Sequence, residues 1–288
     1  MNKYLRLLRV DHYIKNAFIF IPILFSYNLM NTAILEKAIV VFLLFSLNTS
    51  VVYIFNDIFD RNDDRKNESK KKRPIASGEI GIFFASLIGI ILFICTYLFT
   101  FIFAGTVISA VFLLYLLINL GYTLYFKKVP VFEVIIISLG FVLRVLIGSL
   151  VAKVMVSSWL FFMILFISLL LGFGKRYSEK LETIRTSKNH RPVLEKYSLE
   201  FLKSIILVIV TLTIVAYFIY SIQGETVKDK YLFSYSSIFV IFGFFRYIYL
   251  LYHNTDSLDP VKVIYRDKTI LLSVLSWIIF VTLVLYFI

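Results

Sequence analysis

The chain alternates long apolar runs with short polar connections. Nine runs are long enough to cross about 30 Å of hydrocarbon as helices. They lie near residues 16–31, 37–58, 81–103, 105–125, 131–151, 158–173, 201–221, 232–251 and 269–288. This pattern predicts an all-α polytopic membrane protein with nine transmembrane helices around a central cavity. Because no soluble stretch or Pro/Gly/Ser-rich linker interrupts it, we expect one membrane-embedded domain over 1–288.

Composition and charge agree with this class and fix an orientation. The chain is 60% hydrophobic and only 17% charged, which excludes an ordinary soluble protein. The net charge of +12 is unevenly distributed, since 24 of the 30 Lys and Arg residues lie on one set of alternating connections and four on the other. This asymmetry predicts a cytoplasmic N-terminus, an external C-terminus and a plasma (inner) membrane location, with membrane lipids and no nucleic acid as partners. No cleavable signal peptide is expected, because the first apolar run lacks a small-residue cleavage site.

An acidic group stands where the second apolar run ends. Asp57, Asp60 and Asp64 follow an i, i+3, i+7 pattern and, with Asn56, fall within roughly a 100° arc of one helix face. Carboxylates near hydrocarbon are costly unless cations or water receive them. Hard oxygen ligands of this kind predict a Mg²⁺ site that holds a diphosphate. The alternative is a solvated helix end with ordinary surface acids.

A basic group follows directly, from Lys70 to Arg73. Pro74 and Gly78 predict a turn that directs Arg73 back toward the cavity. Acids and cations together suit a polyanion held through metal on one side and positive charge on the other. The alternative is a topology signal that attracts anionic lipid headgroups.

A second cationic group follows the sixth run. Lys175 and Arg176, with Glu179 after them, are interpreted as another anion clamp. The alternative is a helical i, i+4 pair between Lys175 and Glu179, worth about 0.3–0.5 kcal/mol.

Arg144 lies some 20 Å into the fifth run at 1.5 Å per residue. A charge inside a span indicates function by default, so we expect it to face the cavity or its acids. A structural salt bridge between helices is the alternative, and Arg246, nearer a boundary, is interpreted as a snorkelling anchor.

Several weaker candidates complete the set. Lys15 and Asn16 open the first run and are candidate phosphate donors, and Tyr122 ends the fourth run at the inner interface. The three histidines, which lack metal-ligand spacing, are expected in surface or interface roles: His12, His190 and His253.

With these residues laid out, the chain resembles the UbiA-type intramembrane prenyltransferase superfamily. Its NDxxDxxxD motif matches Asn56, Asp57, Asp60 and Asp64 without a gap. The resemblance covers essentially the whole chain and implies a nine-helix bundle, in agreement with the nine apolar runs.

The chain resembles one branch of this superfamily more closely, the polyprenyl-phosphate (decaprenyl-phosphate) phosphoribosyltransferases. Ordinary prenyltransferases carry a second Asp-rich motif after the sixth helix, where this chain has Lys175-Arg176-Tyr177-Ser178-Glu179. Other segments that fit the branch are Tyr13–Asn16, Arg73–Gly78, Gly140–Arg144, Ser158-Trp159 and Arg246–Leu250. The branch often has His-Pro between the acidic and basic groups, whereas this chain has Asn67-Glu68.

The resemblance implies transfer of 5-phosphoribose from phosphoribosyl diphosphate to a polyprenyl phosphate, with Mg²⁺. Asp57, Asp60 and Asp64 would hold the metal, while Arg144 or Lys15 would meet the acceptor phosphate. The donor phosphates would be bound by Lys70, Arg73, Lys175 and Arg176.

Three alternatives are weighed against this reading. A prenyltransferase that uses an allylic diphosphate and an aromatic or lipid acceptor is disfavoured by the missing second Asp motif. An anion transporter is disfavoured because no internal repeat is found. A structural scaffold would leave the Asp spacing unexplained.

Overall fold

The structure, a computed structural model, describes residues 2–68, 70–186, 192–223, 229–253 and 266–287. Within these residues all regular secondary structure is helical, which confirms the all-α prediction. The chain forms two compact units, Met1–Ile136 with Leu143–Met155 (unit 1) and Ile137–Val142 with Val156–Ile288 (unit 2). A single functional domain over 1–288 stays a prediction.

Unit 1 is built around one long helix, α3. Its elements are α1 (Lys3–Leu8), a 3₁₀ segment (Val10–Phe20), α2 (Ile21–Phe25), α3 (Thr32–Phe59), α4 (Arg61–Lys66), α5 (Ile82–Ala104), α6 (Thr106–Leu124), a 3₁₀ turn (Phe126–Lys128) and part of α7 (Phe132–Ala152). Helix α3 packs against α1, the 3₁₀ segment, α5 and α6. Its Phe45 meets Phe112 and Tyr115 edge to face, with ring centroids 5.0 and 4.9 Å apart, so aromatic packing fixes α6 on α3.

Unit 2 consists of helices that surround an apolar cavity. Its remaining elements are α8 (Ser158–Thr186), a 3₁₀ turn (Pro192–Lys196), α9 (Leu199–Gln223), α10 (Lys230–Ser234), α11 (Ser237–His253) and α12 (Lys268–Tyr286). The cavity has a volume of about 250 Å³ and is lined by side chains of α8, α9, α11 and α12, mostly aliphatic and aromatic. Two of its polar side chains form hydrogen bonds within the protein: Ser273 donates to the Phe239 carbonyl at 2.8 Å, and Trp277 donates to the Tyr217 hydroxyl at 2.7 Å. The cavity wall is therefore suited to a hydrocarbon chain.

Eight helical spans in the described residues are long and apolar enough to cross a membrane. They are Thr32–Phe59, Ile82–Ala104, Thr106–Leu124, Phe132–Ala152, Ser158–Thr186, Leu199–Gln223, Lys230–His253 and Lys268–Tyr286. Many of their large apolar side chains are exposed, as lipid contact requires; Phe83, for example, is 75% exposed. The protein is therefore a multi-pass membrane protein.

The count of nine spans is not confirmed. The first expected span, 16–31, is divided between the 3₁₀ segment and the short helix α2. Pro22 lacks the N–H that a continuous helix would need, and Tyr27 has a φ of 59°. The sixth span also differs, because α8 continues from the expected end at 173 to Thr186.

The 3₁₀ segment of unit 1 lies directly against α7. At eleven residues it is longer than most 3₁₀ helices, so contacts with its neighbours must stabilise it. A Cβ atom at Gly148 would collide with the backbone carbonyl of Ile19. Glycine at position 148 therefore permits backbone contact between α7 and the segment.

Replacing Gly148 with alanine is expected to lower the free energy of unfolding by about 1–3 kcal/mol, because the added methyl group overpacks a backbone contact. Gly89→Ala is the matched control, since a Cβ there would only touch the Ile54 side chain at 3.4 Å. Thermal denaturation of the purified variants in detergent measures both. Equal stability of the two variants would contradict the close approach.

Candidate active site

Two buried carboxylates converge on one guanidinium in unit 1. Arg73 Nη1 lies 3.0 Å from Asp57 Oδ1 and 2.6 Å from Asp64 Oδ2, so the two oxygens are at most 5.6 Å apart, the sum of the two distances. Asp57 and Asp64 are only 1% and 2% exposed. Buried carboxylates are stable only when cations and hydrogen bonds compensate them, and Arg73 supplies both.

The third carboxylate of the motif does not join this pair. Helix α3 ends at Phe59, and Asp60, with a ψ of 5°, separates it from α4. Asp60 instead forms an ion pair with Lys127, on the 3₁₀ turn after α6. The expectation that the three Asp residues share one face of one continuous helix is therefore wrong, because the helix is interrupted at the middle one.

The Asp57–Asp64 pair nevertheless suits a magnesium ion. Asp57 Oδ2 is buried and has no hydrogen-bond partner, so an oxygen ligand remains uncommitted. Mg²⁺ is commonly bound by one or two carboxylates, with water and substrate phosphate oxygens as the other ligands. Among the residues that the structure describes, no three His, Cys, Asp or Glu side chains form a metal-binding group. Two carboxylates thus fit the ion, and ligation by Asp60 stays a prediction.

The connection between α4 and α5 holds Arg73 in place. Gly78 has a φ of 85°, and the Ile80 N–H donates to the Pro74 carbonyl at 3.0 Å, so the turn expected from Pro74 and Gly78 is present. Arg65 Nε also donates to the Ala76 carbonyl at 3.0 Å. Lys70, from the same connection, lies 3.9 Å from Asp64 Oδ1. The connection thus brings two cations to the buried acids.

The N-terminal segment, from Arg9 to Asn16, forms polar contacts along one face of α3. Residues 46, 50, 53 and 57 of α3 follow one another at intervals of about one turn, and each contacts a residue of the segment. The four pairs are Ser46–Asn16 (2.9 Å), Ser50–Tyr13 (2.7 Å), Tyr53–His12 (3.2 Å) and Asp57–Arg9. This polar ladder leads from mid-membrane depth to the acidic pair and explains why the segment follows α3.

Arg144 is buried at the other end of this ladder. Its Nε donates to Asn16 Oδ1 at 2.8 Å and its Nη2 to the Tyr115 hydroxyl at 3.2 Å. Its guanidinium also lies over the rings of Phe45 and Tyr115. The described contacts of Arg144 are therefore to amide, hydroxyl and aromatic groups, and none is to the acidic motif.

The remaining candidates of unit 1 are placed as follows. Asn56 accepts a hydrogen bond from Thr123 on α6, which orients its side chain. Lys15 is half-buried on the 3₁₀ segment, beside Asn16. Tyr122 is half-buried near the end of α6, one position before Thr123.

Unit 2 carries its own charged group on α8. Arg176 is 2% exposed, and its Nη1 donates to Glu179 Oε2 at 2.7 Å. Lys175 precedes it on the same helix. The ion pair that the structure describes for Glu179 is therefore with Arg176. The alternative stated from the sequence was a pair between Glu179 and Lys175.

Other charged residues have structural partners. Arg246 pairs with Asp267 at 2.8 Å, and this hydrogen bond holds the pKa of Asp267 below its usual value. Asp267 also caps α12 through the Ile270 N–H, so Arg246 joins α11 to α12 and is more than a snorkelling anchor. His12 contacts Tyr53 and His253 stacks on Tyr249, while His190 lies outside the described residues.

Comparison with known proteins identifies the family. A sequence model of the UbiA prenyltransferase family matches residues 19–265. The chain belongs to this family. It is accordingly a transferase.

Curated UbiA relatives indicate the branch. The decaprenyl-phosphate phosphoribosyltransferase of Mycobacterium tuberculosis is 26% identical over 245 residues, which are 85% of this chain and 80% of the relative. The enzyme of the same name from Corynebacterium glutamicum is 27% identical over 251 residues, 86% of this chain and 75% of the relative. The chain is similar to both over most of their length.

Solved UbiA structures share the fold. A UbiA homologue from Archaeoglobus fulgidus, bound to DMAPP and Mg²⁺, matches with a TM-score of 0.75 at 18% identity, covering 100% of both chains. A digeranylgeranylglyceryl phosphate synthase structure matches with a TM-score of 0.68 at 20% identity, covering 97% of this chain and 98% of that one. The UbiA fold is thus shown for the whole chain.

Two cations of this UbiA site were not predicted to contact the acidic motif. Arg9 contacts Asp57 and lies 4.6 Å from the Tyr53 ring centroid, and Lys127 contacts Asp60. Arg9 precedes Asp57 by 48 residues and Lys127 follows Asp60 by 67, so no local spacing connects them. Their positive charge beside a membrane boundary was the only available signal.

Replacing Arg9 with glutamine is expected to loosen the 3₁₀ segment, because a charge-assisted hydrogen bond worth about 1.5–3 kcal/mol is lost at its start. Amide exchange across Val10–Phe20 should then accelerate by roughly tenfold or more. Arg6→Gln is the matched control, since Arg6 pairs with the more exposed Glu79 on the connection before α5. Unchanged exchange in the Arg9 variant would show that the segment is held without it.

Proposed function

We propose that the protein transfers 5-phosphoribose from phosphoribosyl diphosphate to a polyprenyl phosphate, releasing diphosphate, with Mg²⁺ as cofactor. The observation that carries the proposal is the division of charge on this UbiA chain. One acidic pair in unit 1 suits a metal-bound diphosphate, and the position of a second acidic motif is occupied by Lys175 and the buried Arg176. The two relatives that are named for phosphoribosyl transfer support the same donor.

The donor phosphates need cations at two places. Phosphoribosyl diphosphate carries a diphosphate and, some distance away on the sugar, a 5-phosphate. Asp57 and Asp64 would hold Mg²⁺, which neutralises charge on the departing diphosphate. Lys70 and Arg73 would bind diphosphate oxygens through their positive charge. Lys175 and Arg176 would bind the 5-phosphate, for which arginine offers paired donors.

The transfer requires no strong base. The C1–O bond to diphosphate breaks and its electron pair leaves with the diphosphate, while an oxygen of the polyprenyl phosphate forms the new bond to C1. The acceptor oxygen is already ionised, so positioning and charge neutralisation are sufficient. Lys15, which is half-buried beside Asn16 on the 3₁₀ segment, is our candidate for the acceptor phosphate, while Arg144 holds Asn16 and Tyr115. Arg144 is assigned a positioning role through Asn16.

The membrane arrangement follows from the same chemistry. The isoprenoid tail requires an apolar surface, which the cavity of unit 2 provides. The excess of Lys and Arg on one set of connections supports a cytoplasmic N-terminus and a site that faces the cytoplasm at the plasma membrane, where a water-soluble sugar phosphate would be accessible.

The proposal is tested by incubating membranes with ribose-labelled phosphoribosyl diphosphate, polyprenyl phosphate and Mg²⁺, followed by lipid extraction. Label in the lipid fraction is the expected result. Label that remains in water would refute phosphoribosyl transfer, and lipid label from an allylic prenyl diphosphate would favour a prenyltransferase.

In this assay Asp57→Asn and Asp64→Asn are expected to lower turnover by about 100-fold or more, since each removes a carboxylate that would hold the metal ion on the leaving diphosphate. Asp63→Asn is the matched control, because Asp63 is an exposed neighbour on α4. If all three variants kept wild-type turnover, the acidic pair would not be the diphosphate site.

Arg176→Gln is expected to raise the KM for phosphoribosyl diphosphate by roughly tenfold or more, the effect of one lost charge-assisted hydrogen bond. Arg185→Gln, at the exposed end of the same helix, is the control. Steady-state kinetics at saturating lipid acceptor separate KM from kcat, and an unchanged KM would remove Arg176 from the donor site.

A further inference from the structure

Arg73 stands where a metal ion would stand. A single nitrogen of its guanidinium contacts Asp57 Oδ1 and Asp64 Oδ2, at 3.0 and 2.6 Å. These carboxylates are the two that the proposed function assigns to Mg²⁺. A guanidinium and a divalent ion cannot share this position, because two cations a few ångströms apart in a buried site repel strongly.

Charge balance determines when a metal ion can replace Arg73 at the two carboxylates. At least four cationic side chains contact the three motif carboxylates: Arg9, Lys70, Arg73 and Lys127. The carboxylates are thus already neutralised. A divalent ion that entered alone would add uncompensated positive charge where Asp57 and Asp64 are almost inaccessible to water. A metal ion that arrives with a diphosphate brings its own negative charge.

Arg73 is free to change its partner. Its side chain is 26% exposed, whereas those of both carboxylates are 2% exposed. It extends from the connection between α4 and α5, which is anchored by the fully buried Ile75 two residues further on. The arginine head can therefore turn outward while the connection stays in place.

We propose that Arg73 occupies the metal position in the resting enzyme and leaves it only when a diphosphate-bearing donor arrives, whose phosphate oxygens become its new partner. Metal binding is then conditional on the polyanion, and the resting enzyme does not hold Mg²⁺ by itself. This inference rests on the proposed function for the identity of the metal ligands, and is independent of which group is transferred.

The test measures binding of Mn²⁺, as a spectroscopic substitute for Mg²⁺, to the purified full-length protein by equilibrium dialysis and electron paramagnetic resonance. The wild-type protein should bind Mn²⁺ weakly alone and at least about tenfold more tightly with inorganic diphosphate. Arg73→Gln should bind Mn²⁺ without diphosphate at least about tenfold more tightly than the wild type, because the competing charge is gone. Lys66→Gln, at the exposed end of α4, is the control and should behave as the wild type.

Two further variants test where the Mn²⁺ binds and whether the charge of Arg73 is responsible for excluding it. Adding Asp64→Asn to Arg73→Gln should abolish the new Mn²⁺ site. Arg73→Lys keeps the charge and should bind Mn²⁺ with an affinity between those of the wild type and Arg73→Gln. Thermal denaturation checks folding, and Mn²⁺ alone should raise the Tm of Arg73→Gln more than that of the wild type.

Equal Mn²⁺ affinity of the wild type with and without diphosphate would overturn the proposal, whatever the variants do. So would an Arg73→Gln protein that folds and binds Mn²⁺ no more tightly than the wild type. The lipid-labelling assay separates this result from the proposed function, since an enzyme that transferred a prenyl group would still show Arg73-dependent metal binding.

Discussion

The structure depends on one electrostatic constraint, two carboxylates that are buried where a membrane-spanning helix ends. Asp57 and Asp64 are tolerated because cations compensate them, above all Arg73, which reaches both from a connection that begins three residues after Asp64. That requirement explains the short helix α4, the left-handed Gly78 and the buried Ile75, which together return the chain to α3. Residues 70–80 of a highly charged connection are thus packed around the site.

The same constraint extends to the N-terminal segment. Arg9 adds a second cation to Asp57, and the polar ladder along α3 then sets the path of the chain as far as Asn16. At that point Arg144 and Gly148, one turn apart on α7, meet Asn16 and Ile19, one 3₁₀ turn apart. Along this contact, one turn of the α-helix α7 therefore matches one turn of the 3₁₀ segment. This match explains why the segment adopts the 3₁₀ form, and why it does not continue as the expected transmembrane α-helix.

Local patterns in the sequence predicted much of this fold, and long-range partners could not be predicted. Eight of the nine apolar runs correspond to helical spans in the described residues, because hydrocarbon length is a local property, and the acidic motif indicated the candidate site because its spacing is local. The motif did not reveal that α3 stops before Asp60, since Lys127, whose pairing accompanies the break, lies 67 residues away. Arg144 was singled out correctly as a buried charge, but its partners, Asn16 and Tyr115, come from tertiary packing.

The charged side chains of unit 1 and of unit 2 are relevant to which donor substrate the protein would use. An allylic diphosphate ionises at a single end, and a second acidic motif would add metal ions around that same group. A phosphorylated sugar diphosphate has a second anion far from the bond that breaks, and there a fixed guanidinium is more suitable than a recruited ion. Arg176 is buried and held by Glu179, so its position is set before any ligand binds. Arg73, by contrast, is exposed enough to exchange partners, as the residue beside a departing group must do. Under the proposed function, Arg176 would hold the part of the donor that is transferred, and Arg73 would follow the diphosphate that leaves.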